Sequence, residues 1–237
     1  MENQFEMLNV NLDSNMMRIT IAFCMLVIAS VLDIRKREIN DLLWIVFGAL
    51  AFVMWIISGD HWGTAKIIGL SMIIAPIALV IWRLGIFGGA DALCLIVLAG
   101  LAPMASISGS GITPITTLTN AALVSVIPLF VNLTRNLFAI SRRQNIFEGL
   151  DETRLNKIIA VFIGYRAKNP KFSFSIEQSD GNHKKLNFGF QHAENAQFCS
   201  TAETWVTPGI PYIIYITAGF IIQIIYGDVI VNLIRSI

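Results

Sequence analysis

The sequence predicts an all-α membrane protein with six transmembrane helices and a small α+β insert between helices five and six. Three observations lead to this prediction. Hydrophobic residues make up 55% of the 237 residues and charged residues only 14%, whereas an ordinary soluble domain carries about 25% charged residues. The charges lie between long uncharged stretches, and one long polar segment precedes the last stretch. This distribution excludes a disordered chain, a basic nucleic-acid-binding protein and a typical cytosolic enzyme.

A helix that crosses a bilayer requires about 20 mainly apolar residues. Six segments meet this requirement, some of them only just. They cover residues 16–32, 42–58, 65–84, 90–106, 115–140 and 210–237. Pro76, Pro103 and Pro128 fall within three of them. Because neighbouring groups can satisfy the backbone that a proline frees inside a membrane helix, we expect kinks at these positions rather than helix ends.

The lysines and arginines indicate the orientation of the helices, because cytoplasmic loops are enriched in these residues. When the connecting segments are assigned alternately to the two sides, one side carries fourteen of the 17 basic residues. These are Arg35, Lys36, Arg37, Arg83, Arg135, Arg142, Arg143, Arg154, Lys157, Arg166, Lys168, Lys171, Lys184 and Lys185. The other side has only Arg18, Lys66 and Arg235. The sequence therefore predicts a multi-pass plasma-membrane protein with both termini outside, whose first helix is not a cleavable signal peptide.

The polar segment of residues 141–207 is predicted to be a cytoplasmic insert that contains both helix and strand. Residues 148–166 place apolar side chains at helical spacing. Residues 172–176 and 186–190 alternate apolar and polar side chains, as half-buried strands do, on either side of a turn sequence at residues 179–182. The expected domains are residues 1–140 with five membrane helices, the insert of residues 141–207, and residues 208–237 with the sixth helix.

The cysteines and histidines do not suggest a metal or redox centre. Cys24, Cys94 and Cys199 include no closely spaced pair, and the three histidines are scattered. Because zinc sites and disulfide frameworks have recognisable spacings, we predict no metal site and no cofactor.

Two aspartates stand out because ionisable residues in or next to membrane helices are costly. Asp33 ends the first predicted helix and Asp91 begins the fourth, directly after Gly88-Gly89-Ala90. The alternating loops place both carboxylates on the cytoplasmic side at about the same depth. The structural alternatives are a helix cap for Asp91 and an ion pair between Asp33 and a nearby arginine. The residues alone leave these roles and a catalytic pair open.

A catalytic role would use two carboxyls within hydrogen-bond reach of each other. Two such carboxyls cannot both ionise at low cost, so they share one proton. The ionised carboxyl can take a proton from a water that attacks a peptide carbonyl, while the protonated carboxyl polarises that carbonyl. Gly88 and Gly89 fit this role, since glycine can adopt unusual dihedrals and lets another strand approach closely.

The motif Gly88-Gly89-Ala90-Asp91, together with Asp33, resembles that of the G-x-G-D membrane aspartyl proteases, and most closely that of the archaeal preflagellin and prepilin peptidases. Residues 33–41, with a basic cluster followed by Ile-Asn, are similar to the family's first aspartate segment. Pro208 and Pro211 are similar to its proline-containing start of the last helix. The six predicted spans and the insert also agree, so the resemblance covers nearly the whole chain.

The sequence departs from the family pattern at two positions. Ala90 stands where the motif has its second glycine, and alanine is small enough that we expect tolerance. Leu93 stands where the bacterial prepilin peptidases usually have a lysine, and their paired-cysteine domain is absent from the sequence. Both differences favour the archaeal branch.

The resemblance implies an aspartyl endopeptidase without cofactor in which Asp33 and Asp91 are catalytic. It implies a pre-archaellin or other type IV pilin-like precursor as substrate, whose short basic leader is removed at the cytoplasmic face, and no nucleic acid as partner. Helix dipoles would favour negative charge on Asp91, at a helix N-terminus, and disfavour it on Asp33, at a helix C-terminus, by about 0.3–1 kcal/mol each. Asp91 is therefore predicted to be the base and Asp33 the acid.

Candidates for substrate binding are acidic residues on the cytoplasmic side, which would attract a basic leader, and the prolines before the last helix. They are Glu38, Asp41, Glu148, Asp151, Glu152, Pro208 and Pro211. For the acidic residues, a solvated charged surface is at least as good an explanation.

Two other functions are alternatives at this level. A small transporter would need polar side chains near the bilayer midplane, and the spans offer only Asn120, Asn132 and Gln223. A non-catalytic scaffold for pilus assembly would keep the fold and need neither aspartate.

Overall fold

The computed structural model describes residues 2–104, 112–180, 183–189 and 197–236. The chain divides into two compact units. The first, called the helical unit, comprises Met1–Val124 and Pro211–Ile237, and the second unit comprises Ser125–Ile210.

The described residues are mostly helical, with five short strands in the second unit. The helices are α1 Glu2–Lys36, α2 Asp41–Ile57, α3 His61–Ser71, α4 Ile74–Arg83, α5 Gly89–Leu101, α6 Thr113–Val124, α7 Ile127–Ser141, α8 Arg154–Ile163, α9 Tyr212–Tyr226 and α10 Val229–Arg235. The strands are β1 Tyr165–Ala167, β2 Ser173–Ser175, β3 Glu177–Asp180, β4 His183–Leu186 and β5 Thr204–Pro208. The prediction of a mainly helical chain with a small strand-containing insert is confirmed.

Helix lengths among the described residues support fewer spans than the six predicted. Ser14–Lys36, His61–Arg83 and Thr113–Ser141 are long and apolar enough to cross a membrane. A fourth span results if α9 and α10, which meet at a 43° bend, count as one. The predicted second and fourth spans correspond to α2 and α5, which have 17 and 13 residues.

Prolines explain where the long helices are interrupted. A proline ring clashes with the carbonyl four residues earlier and cannot donate to it. Pro76 and Pro128 therefore disturb the helix at residues 72 and 124, and the breaks between α3 and α4 and between α6 and α7 lie there. These two segments still pass as single spans, as expected for kinks. The expectation is wrong for Pro103, since α5 already ends at Leu101.

Helix α5 lies at the centre of the helical unit and packs against α1, α2, α4, α6 and α9. Eight of its 13 residues are buried, including Leu95, Leu98 and Leu101. Arg18 of α1 closes the end of this packing, because its guanidinium donates to the carbonyl oxygens of Leu101 at 3.0 Å and Met54 at 3.1 Å. These carbonyls lie in the last turns of α5 and α2, where no partner exists within the helix.

The second unit contains two small antiparallel sheets, one ordered β1-β5-β2 and one formed by β3 and β4. The predicted hairpin exists, with Asp180 opposite His183, and its two turn residues lie outside the described part. The strands assigned to it are wrong: Ser173–Ser175 pairs with β5. A tight turn pairs the residues directly beside it, so residues 177–180 and 183–186 form the hairpin.

Two other boundaries in this region differ from the prediction. The helix expected over residues 148–166 covers only Arg154–Ile163, since Thr153 caps its start and strand β1 begins at Tyr165. Residues Thr204–Pro208, whose end was expected to open the last helix, form β5, and α9 begins at Tyr212.

Candidate active site

Asp91 lies in the first turn of α5 and is 7% exposed. Its carboxylate accepts a hydrogen bond from the backbone N–H of the N-cap residue Gly88 at 2.9 Å, which is one half of a capping box, since Gly88 has no side chain to form the other half. Asp91 is therefore a helix cap, as the structural alternative proposed. This capping role is compatible with a catalytic role, because a carboxylate has several acceptor positions and the contact with Gly88 uses one of them.

The glycines before Asp91 do not adopt unusual dihedrals. Gly88 has φ −79° and ψ 166°, an extended conformation open to any residue, and the described glycines with positive φ are Gly85, Gly149 and Gly227. The dihedral argument for Gly88 and Gly89 is therefore wrong. The argument from close approach is untouched by these angles. Ala90 likewise does not need a positive φ.

Asp33 lies in the last turn of α1 and is half-buried. The helix ends when Arg37 adopts a left-handed conformation with φ 58° and its N–H donates to the Asp33 carbonyl oxygen at 3.1 Å. This places the positive charge of Arg37 close enough to attract the Asp33 carboxylate. Of the second structural alternative, an ion pair with a nearby arginine, the structure supports the charge attraction between Arg37 and Asp33.

Helix α9 also holds Asp33. The backbone N–H of Ile213, in the first turn of α9, donates a hydrogen bond to the Asp33 carboxyl. Pro211 is the N-cap residue of this helix and has no side-chain cap for the free N–H groups. Asp33 therefore supplies the acceptor that the start of α9 lacks.

The structure places Asp33 and Asp91 on two helices that pack against each other within the helical unit. Their carboxylates lie close enough for the two negative charges to repel each other. Helix α1 carries one, the central helix α5 carries the other, and α9 packs against both helices. Phe87, just before the motif, stacks on Tyr212 of α9 with 5.5 Å between ring centroids, which further fixes α9 beside the motif.

The remaining candidate residues fall in different places. Glu38 and Asp41 are exposed and lie in the helical unit, Glu38 between α1 and α2 and Asp41 at the start of α2. Pro208 ends β5 and Pro211 caps α9. The other three candidates belong to the second unit: Glu148, Asp151 and Glu152.

Contacts distinguish the three acidic candidates of the second unit. Glu148 is exposed and forms a 3.9 Å ion pair with Arg166. The backbone N–H of Asp151 donates to the carbonyl oxygen of Lys184 at 3.0 Å. Burial alone would raise the pKa of the Glu152 carboxyl, but hydrogen bonds from Asn156 and from the backbone of Leu186 outweigh it and hold this pKa below its usual range. Glu152 therefore joins α8 to the hairpin.

Trp44, which follows the first aspartate segment in the sequence, is buried in the helical unit. This residue lies in the first turn of α2, is 4% exposed, and its indole N–H has no hydrogen-bond partner among the described residues. Gly100 of α5 lies against Ala51 of α2, and Trp44 belongs to the same buried cluster as Ala92, the neighbour of Asp91.

Comparisons with known proteins agree with this arrangement. Residues 20–130, which include both aspartates, match the Type IV leader peptidase family, and residues 168–229 match the Archaeal Peptidase A24 C-terminus Type II. A preflagellin peptidase of Methanococcus maripaludis is 32% identical over 215 residues, which cover 86% of this chain and 92% of that protein. A preflagellin peptidase of Methanocaldococcus jannaschii is 24% identical over 225 residues, covering 90% and 94%. The resemblance carried by the motifs is confirmed, and the chain belongs to the type IV leader peptidase family.

Proposed function

We propose that this peptidase is a membrane-embedded aspartyl endopeptidase that removes the short basic leader of pre-archaellins or type IV pilin-like precursors at the cytoplasmic membrane face. The observation that carries the proposal is the meeting of Asp33 and Asp91, from two different helices, within charge-interaction distance. The relatives named preflagellin peptidase support the substrate class.

The two carboxyls share the chemistry as a general base and a general acid. The ionised one takes a proton from water as the water oxygen attacks the peptide carbonyl carbon, and the protonated one donates to the carbonyl oxygen. The resulting tetrahedral intermediate collapses when the leaving nitrogen is protonated. Neither a metal nor a cofactor takes part in these steps.

The positions of the helix ends change the assignment of the two roles. Both carboxyls accept a backbone N–H at the N-terminal end of a helix, Asp91 from the N-cap residue Gly88 of α5 and Asp33 from Ile213 in the first turn of α9. The dipole contrast on which the first assignment rested therefore disappears. Since Asp33 also faces Arg37, we assign the base to Asp33 and the acid to Asp91. Infrared titration tests this assignment, since Asp33→Asn leaves the Asp91 carboxyl to be observed and Asp91→Asn leaves that of Asp33. If the Asp91 carboxylate persists to lower pH than the Asp33 carboxylate, the two roles are reversed.

The proposed substrate lies with its apolar helix in the membrane beside α1 and α5, and its leader in the cytoplasm. Six spans, external termini and a cytoplasmic insert of residues 141–207 are part of this proposal. The concentration of basic residues on one set of loops supports them. Helices α2 and α5 would cross a thinned bilayer or be covered by their longer neighbours.

The deciding experiment is co-expression of a tagged precursor with the peptidase, followed by the size shift on a gel. We expect Asp33→Asn and Asp91→Asn each to reduce processing at least about a hundredfold, the usual contribution of an acid or base. Asp60→Asn is the matched control, because Asp60 caps α3 through Gly63 at 2.8 Å and asparagine caps equally well. Processing that survives either active-site substitution would refute the catalytic pair and favour a scaffold.

A further inference from the structure

Helix α8 has an apolar face that is turned away from the rest of the second unit. Leu155, Ile158, Ile159 and Phe162 are exposed by 66%, 58%, 37% and 37%. Their spacing of three, four and seven residues places them on one side of the helix. In a water-soluble domain this face would point toward the core, so its outward orientation requires an apolar environment outside the protein.

The opposite side of α8 is firmly packed, so its orientation is fixed. Ala160 is fully buried in a cluster with Ile146, Ile176 and Trp205. The indole N–H of Trp205 donates to the Ile146 carbonyl oxygen at 2.8 Å, and its ring stacks on Phe147 with 5.1 Å between centroids. Rotating α8 to bury the apolar face would break this cluster.

The C-terminal end of α8 is attached to a membrane-span candidate. Asn136 of α7 donates to the carbonyl oxygens of Val161 at 2.9 Å and Gly164 at 2.8 Å, and Asn132 donates to that of Phe162 at 3.2 Å. Helix α7 forms the second half of the candidate span Thr113–Ser141. At 1.5 Å per residue, the two asparagines lie about 7.5 and 13.5 Å inside the end of that span.

The carbonyl groups at this end of α8 are satisfied without solvent. The last four carbonyls of a helix have no partner within it and usually bind water. Here Gly164 N–H donates to Ala160, the two asparagines to Val161 and Phe162, and the Thr207 hydroxyl to Ile163 at 2.9 Å. Full satisfaction by protein groups is what a lipid environment demands of backbone.

The other end of α8 is polar and carries charges of both signs, because Asp151 and Glu152 come just before the helix. Thr153 caps the helix and Arg154 is exposed. Arg142 and Arg143, directly after α7, are also exposed. Charged and polar side chains before the first turn, and apolar ones at Ile158, Ile159 and Phe162, follow the gradient from headgroups to acyl chains.

We propose that α8 is an interfacial membrane helix whose face of Leu155, Ile158, Ile159 and Phe162 is buried in the acyl region of the bilayer beside α7. The occupant of this face is lipid, and the C-terminal end is the deeper one. The second unit is thereby anchored to the membrane by α8 as well as by α7.

Spin-label accessibility in the full-length protein tests this. Cys24 and Cys199 are replaced by serine, and Cys94 can stay because it is fully buried. Single cysteines are then introduced as Leu155→Cys, Ile158→Cys and Phe162→Cys, with Gln178→Cys on the polar hairpin as control. Each protein is labelled in vesicles of phosphatidylglycerol and phosphatidylcholine in equal parts.

We expect oxygen to reach the three α8 labels. A water-soluble nickel chelate should reach these labels several-fold less than it reaches the Gln178 label. Phe162 should be the deepest. Chelate access equal to that of the control would place the face in water and overturn the proposal. Labels shielded from both reagents would indicate a covering protein, either a second copy or a partner, and would also overturn it. These readouts do not depend on cleavage, so they are independent of the proposed activity.

Discussion

Single residues at this site combine a structural and a proposed chemical role. Asp91 caps its own helix, and Asp33 accepts the backbone N–H of Ile213 at the start of another. Along the chain Asp33 lies at a helix C-terminus, where negative charge is disfavoured. In space it also lies at the N-terminus of α9. The residues next to Asp33 in the sequence therefore do not by themselves determine its electrostatic environment.

Gly88 provides a prediction at this scale. A Cβ on Gly88 would meet the Asp91 carboxylate at 3.5 Å, an ordinary contact, and the backbone angles suit alanine. Gly88→Ala should therefore cost at most about 1 kcal/mol of stability, the price of a poorer N-cap residue. If the glycine is there to admit the substrate, kcat/KM should fall about tenfold to a hundredfold. Thermal unfolding and precursor cleavage measure the two effects.

The control for Gly88→Ala is Gly69→Ala in α3, where a Cβ would meet nothing within 4 Å. This variant should cleave at the wild-type rate. Full activity of Gly88→Ala would show that the close-approach argument for the glycine motif is wrong.

At the scale of elements, polar residues in the apolar segments join helices rather than line a path. Asn120 of α6 donates to the Gly227 carbonyl oxygen at 3.0 Å and accepts from Val229 N–H at 3.2 Å, across the bend between α9 and α10. Thr117 donates to Gln223 at 2.6 Å. Asn132 binds α8. The three side chains that a transporter might have used thus have partners within the protein.

The contact between α6 and α9 depends on a small residue. A Cβ at Gly219 would lie 2.4 Å from the Thr117 carbonyl oxygen and 2.7 Å from the Ala121 nitrogen, so the two backbones would have to separate. We expect Gly219→Ala to destabilise the protein by about 1–3 kcal/mol, as overpacking does. The loss should appear as a lower unfolding midpoint in detergent.

Gly48→Ala in α2 is the matched substitution for this contact, since the added Cβ would meet nothing within 4 Å. It should be neutral or slightly stabilising, because alanine is the better helix former. Equal effects of the two substitutions would contradict the close packing of α6 on α9.

At the scale of the whole molecule, the acidic candidates divide between the two units. Glu38 and Asp41 lie in the helical unit with the aspartates, and Glu148 and Asp151 lie in the second unit. If these charges attract a basic leader, cleavage at sub-saturating precursor should weaken as salt rises, because the Debye length shrinks from about 10 Å at 0.1 M to about 3 Å at 1 M.

Neutralising each group separately locates the attraction. We expect Glu38→Gln with Asp41→Asn, or Glu148→Gln with Asp151→Asn, to raise KM several-fold at low salt and to leave kcat unchanged, as a steering effect would. Glu152 is kept, since it holds the hairpin. A precursor with an uncharged leader is the control. If KM does not change with salt for the wild type or for either double variant, the acidic residues are a solvated surface and do not attract the leader.

The sequence by itself determined the apolar segments, the basic loops, the hairpin and the family, because these depend on composition, periodicity and short motifs. It also singled out Asp33 and Asp91, since charge is scarce in such a chain. Only the tertiary structure decided that the start of α9 binds Asp33, that α5 is short and central, that residues 173–175 pair with β5, and that α8 turns its apolar face outward. These features depend on contacts between residues far apart in the chain, which local patterns do not encode.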